Sequence, residues 1–140
     1  MSAISRSLRT PHALAAFGGL GYAAALFWWF SSRGLHFSSP DPVTTAIGFG
    51  YSVGGLFLLG AVPLYLLVRF SLVTPVLATG WTLGNTVYQH LYGTHLHPLS
   101  SYLIVWPLLF GLAVLPGAVE ALIRLGLDRG FDRFGLRPLV

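Results

Sequence analysis

The chain has 140 residues, of which 54% are hydrophobic and 9% charged, against about 25% charged in an average soluble protein. So few charges cannot coat a water-soluble surface, and the length suits a single domain. Eight arginines against four acids give a net charge of +4, while the absence of lysine and cysteine excludes Schiff-base chemistry, disulfides, thiolate nucleophiles and Cys-ligated zinc or iron–sulfur centres.

A bilayer core about 30 Å thick is crossed by about 20 apolar helical residues. After Arg6 and Arg9, the first uncharged run passes through Phe27-Trp28-Trp29-Phe30 with no small-x-small cleavage site at its end. It reads as a retained span over 11–31, not as a signal peptide. A second span, 42–69, lies between Asp41 and Arg69. From Phe70 to Val119 no Asp, Glu, Lys or Arg occurs, which leaves room for two crossings, 75–92 and 101–125. The stretch from Gly93 to Ser101, rich in Gly, Pro and Ser, reads as the turn between them. Thr10-Pro11, Asp41-Pro42 and Thr74-Pro75 each pair a capping residue with a proline suited to the first helical position. Arg69 to Ser71 leaves space only for a tight antiparallel hairpin. Pro63, Pro107 and Pro116 fall inside the second and fourth spans and suggest hinges or broken helices. Residues 126–140 read as a short amphipathic tail, mixing Arg129, Arg133 and Arg137 with Asp128, Asp132, Leu127, Phe131 and Leu136. It suits an anionic lipid surface or a partner's cytoplasmic face.

The expected fold is therefore all-α: an integral membrane four-helix bundle in one domain, 1–140, with a cytoplasmic tail. Four crossings place Arg6, Arg9, Arg69, Arg124, Arg129, Arg133 and Arg137 on one side and Arg33 alone on the other. Positive residues accumulate on the cytoplasmic side, so both termini are expected there, in a multi-pass protein of the cell membrane.

Five groups of residues could carry function. His36, His90, His95 and His97 fall at the outer helix ends and could ligate a metal or sense pH, although only His95-Leu96-His97 is tightly spaced and an exposed loop explains them equally. The third span is the most polar. Thr79, Thr82, Thr86 and either Gln89 or His90 recur at helical spacing with Asn85 beside them, a stripe expected to face inward for interhelical bonding or as a polar path. Gly50 and Gly54, then Gly80 and Gly84, have the spacing that lets membrane helices approach closely, within the hairpin or toward a partner. Glu120 is the sole carboxylate inside a span, four residues before Arg124 and so placed for an i,i+4 ion pair near the interface. Aromatic residues at the span ends, among them Trp28, Trp29, Tyr65, Phe70, Tyr88, Tyr92 and Tyr102, read as an interfacial belt.

No phosphate-binding glycine loop, metalloprotease helix or nucleophile elbow is present. The arginines form no continuous basic face, so nucleic acid is not an expected partner. The residues specify no cofactor. The expected function is a non-catalytic structural or accessory membrane subunit, packed in the bilayer against copies of itself or other subunits. The alternatives are a small oligomeric channel or transporter along the third helix and a metal- or haem-linked redox protein.

Overall fold

The computed structural model describes residues 11–36, 39–93 and 97–133, without the side chains of 131–133. Expectations for Arg6, Arg9, Arg137, His95 and the end of the tail lie outside these residues, as does the Arg133 side chain. The described elements are all helical: α1 Pro11–Ser32, α2 Pro42–Phe70, α3 Thr74–Tyr92, α4 Pro98–Ile104 and α5 Trp106–Arg133. Three helices are long and apolar enough to cross a membrane: α1, α2 and α5 over Trp106–Gly130. At 19 residues, α3 is about 28 Å long, but its run of threonines, Asn85, Gln89 and His90 leaves it less apolar than those three.

Helix α2 forms the centre. Asp41 caps its start, with Oδ1 accepting from the Val43 amide at 3.1 Å and Oδ2 from the Thr44 hydroxyl at 2.7 Å. Those bonds hold the Asp41 carboxyl below the usual carboxylate range. The helix passes through Pro63 without breaking and ends on Ser71, which adopts a left-handed conformation with φ 55°. The Ser71 amide bonds back to the Leu67 carbonyl and the Leu72 amide to that of Leu66, an αL closure that here does without glycine.

Small residues decide how closely the helices pack. A Cβ on Gly19 would stand 2.6 Å from Ala61 Cβ, and one on Gly60 would stand 2.7 Å from Tyr22 Cβ. The α1–α2 contact therefore needs glycine on both sides. Gly55 lies directly under the Trp106 ring, and Gly117 lies against Pro75, where an added Cβ would be 2.5 Å from Cγ. Helix α5 thus packs on α2 and on the start of α3. The core joins Ala23 and Phe30 of α1, Leu56 and Leu59 of α2, and Leu99, Tyr102 and Leu103 of α4.

Three boundaries differ from the sequence expectation. The single helix expected over 101–125 is two helices meeting at Val105. Pro107 has no amide hydrogen to offer the Leu103 carbonyl, and the Leu108 amide bonds Val105 O instead of Ile104 O. The Ile104 carbonyl takes the Tyr51 hydroxyl at 2.9 Å. Part of the expected turn, from Pro98 onward, is helix α4, because Pro98 suits a first helical position. The expected separate tail is helical to Arg133 and continuous with α5. One glycine in a helix costs only about 1 kcal/mol, too little for Gly126 or Gly130 to stop it.

Candidate functional site

Helix α3 begins without a cap of its own. Val73 occupies the cap position and contributes no side-chain hydrogen bond, so the first amides of α3 need an acceptor from elsewhere. Glu120 of α5 supplies it. Its Oε2 accepts from the Val73 amide at 3.1 Å, the Thr74 amide at 3.0 Å and the Thr74 hydroxyl at 2.8 Å. The other oxygen pairs with Arg124 one turn on. A carboxylate at a helix N-terminus is favoured electrostatically as well as by its hydrogen bonds. Thr74, expected to cap the helix through its own oxygen, instead donates to a carboxylate 46 residues away.

The polar residues of α3 divide between two faces. Thr79 is buried, and its hydroxyl donates to the Pro75 carbonyl at 2.9 Å. Thr82 donates to Thr79 O at 3.0 Å and Thr86 to Thr82 O at 2.9 Å. These threonines satisfy themselves on their own helix. A hydroxyl pair that does cross between helices lies elsewhere: Tyr22 of α1 and Tyr102 of α4 meet at 2.7 Å. Tyr102, expected in the interfacial belt, is only 2% exposed, because the short helix α4 carries it into the core.

Asn85 does not share the threonine face. It is exposed, together with Gly80 and Gly84, and a Cβ at either glycine would meet nothing within 4 Å. With Trp81 and Tyr88 these residues form a shallow groove of about 360 Å³ on the outside of the molecule. Gly50 and Gly54 of α2 are likewise open to the exterior, so neither glycine pair packs inside the hairpin. The close contacts of other helix pairs fall at Gly18, Gly19 and Gly60 between α1 and α2, at Gly55 under Trp106, and at Gly117 against Pro75.

The histidines are dispersed. His90 stands edge-on to Trp29 with ring centroids 5.8 Å apart. His36 Nδ1 is 2.9 Å from the Gly34 carbonyl on the surface, and His97 is exposed. Among the described residues no three His, Asp or Glu side chains gather closely enough to hold a metal ion. Arg33 lies over the Trp29 ring at 5.5 Å from its centroid, joining the α1 end to the aromatic cluster at the His90 end of α3.

No protein-family model, curated protein or solved structure matches the chain.

Proposed function

We propose that this chain is a non-catalytic, multi-pass protein of the cell membrane, a structural subunit that assembles with copies of itself through the outward face of α3. In this reading α3 is a fourth crossing and both termini are cytoplasmic. Its length of about 28 Å matches the bilayer core, and a fourth crossing keeps the N-terminal and C-terminal arginines on one side, as the positive-inside rule favours.

The observation that carries the proposal is Asn85. It lies about 16 Å along α3 from Thr74, near mid-depth, and is exposed on the outside of the chain. A polar amide at that depth faces hydrocarbon unless another helix covers it, and polar groups in membrane helices turn toward protein or water. Gly80 and Gly84 leave the backbone beside it open to close approach by a partner helix. Asparagine both donates and accepts, so Asn85 of a second copy is a self-complementary partner across a two-fold axis. A solute path along α3 draws less support, since the threonine hydroxyls are engaged with their own helix.

The test is the mass of the purified chain in mild detergent by light scattering. Wild type is expected as a multimer, and Gly84→Leu or Asn85→Leu as a smaller species with unchanged helicity. A wild-type monomer in both detergent and lipid nanodiscs contradicts the proposal.

A further inference from the structure

A second groove, lined chiefly by α5, adjoins the α3 face, since Leu112 at its far end also lies beside Gly80 and Trp81. It occupies about 660 Å³ along α5, with Leu112, Leu115, Pro116, Val119 and Ile123 as its apolar wall. From Leu112 to Ile123 it runs about 17 Å parallel to the helix axis. At one end its lining becomes polar, with Thr74, Glu120 and Arg124. This is the outline of a single amphiphile, with a long apolar track parallel to a spanning helix and a charged head beside the start of α3.

The head of the groove carries a positive balance. Glu120 and Arg124 cancel, and the N-terminus of α3, whose amides Glu120 accepts, adds roughly half a positive charge. The Arg124 side chain is 47% exposed, against 16% for Glu120. Of the five guanidinium N–H groups, the ion pair with Glu120 engages those on one nitrogen, which leaves others for an anion. A second protein helix laid in this groove would have to desolvate that guanidinium against apolar side chains, whereas a phosphate would pair with it.

We infer that this groove seats one acyl chain of an anionic phospholipid, with its phosphate held at Arg124. The site depends on the chain lying in a membrane and not on assembly through α3. Basic positions between membrane helices bind anionic headgroups, each arginine contributing on the order of 1 kcal/mol.

Native mass spectrometry of the full chain in detergent, titrated with phosphatidylglycerol or phosphatidylcholine, tests the assignment, and the same spectra report assembly state. Wild type is expected to retain phosphatidylglycerol preferentially. Arg124→Gln should weaken phosphatidylglycerol binding about fivefold and phosphatidylcholine, whose choline offsets the same phosphate charge, by less, while Leu115→Trp fills the track, keeps the Glu120–Arg124 pair and weakens both lipids. Arg129→Gln, on the same helix but outside the groove, should change neither. Glycerol phosphate, which lacks acyl chains, should not compete. Equal retention of the two lipids by wild type, equal losses from Arg124→Gln and Arg129→Gln, full binding by Leu115→Trp, or competition by glycerol phosphate would each overturn it. Should Arg124→Gln lose helicity, the wild-type preference for phosphatidylglycerol and the loss in Leu115→Trp decide together.

Discussion

Replacing Tyr22 by Phe removes one hydroxyl from the contact that joins α1 to α4. The two oxygens are 2.7 Å apart and Tyr102 is 2% exposed, so water cannot take the place of the lost partner. A buried group left unsatisfied costs about 1–3 kcal/mol. Interhelical hydrogen bonds in membrane proteins average about 0.6 kcal/mol in double-mutant cycles and reach about 1.7. This one, short and enclosed, belongs in the upper half of that range. The double variant Tyr22→Phe/Tyr102→Phe should therefore be about 1 kcal/mol more stable than the sum of the single losses predicts. Reversible unfolding by SDS in mixed micelles, followed by helicity, gives the four stabilities. Strict additivity, with a coupling below about 0.3 kcal/mol, would show that the hydroxyls do not depend on each other and refute the reasoning.

The glycines separate by face. Gly60→Val should destabilise by about 1–3 kcal/mol through overpacking against Tyr22, while Gly54→Ala, which meets open space, should be neutral or slightly stabilising in the same assay. Glu120→Ala should raise hydrogen exchange at Val73 and Thr74, whose amides lose their acceptor, and leave the middle of α3 protected; unchanged exchange there would show that the cap is dispensable. Asp41, with its pKa lowered first by the Thr44 hydroxyl and then by the Val43 amide, stabilises the start of α2 above the ordinary carboxylate pKa. That contribution is lost as pH falls through the lowered folded value. Protection at Val43, taken as exchange relative to the intrinsic rate at each pH, should fall over that acid range in wild type and stay constant there in Asp41→Asn.

The spans of α1 and α2 were legible because each is a long uncharged run opened by a proline, and the period of a membrane helix needs no other signal. The single helix expected over 101–125 was not, although Pro98 and Pro107 each suit a first helical turn and together mark a short helix between two starts. That short helix is what moves Tyr102 from the surface into the core. The Glu120–Arg124 spacing was visible in the sequence. The cap on α3 was not, since it depends on which helix start lies beside α5, a long-range fact that no local pattern encodes. Gly80-x-x-x-Gly84 was visible as a packing motif, but its outward direction follows from the placement of the other helices. The inward helix contacts fell to Gly19, Gly60 and Gly117, of which Gly19 and Gly117 are spaced four residues from alanines, Ala15 and Ala23 or Ala113 and Ala121, and not from another glycine.

Cysteine cross-linking in native membranes tests most directly whether a second copy covers the α3 face. The natural chain contains no cysteine, so each introduced thiol is alone. Gly84→Cys and Trp81→Cys, both on the groove beside Asn85, should form disulfide-linked dimers on mild oxidation. Leu20→Cys, on α1 and 58% exposed in the single chain, should not. Dimers at all three positions alike, or at none of the α3 positions, would contradict assembly through this face.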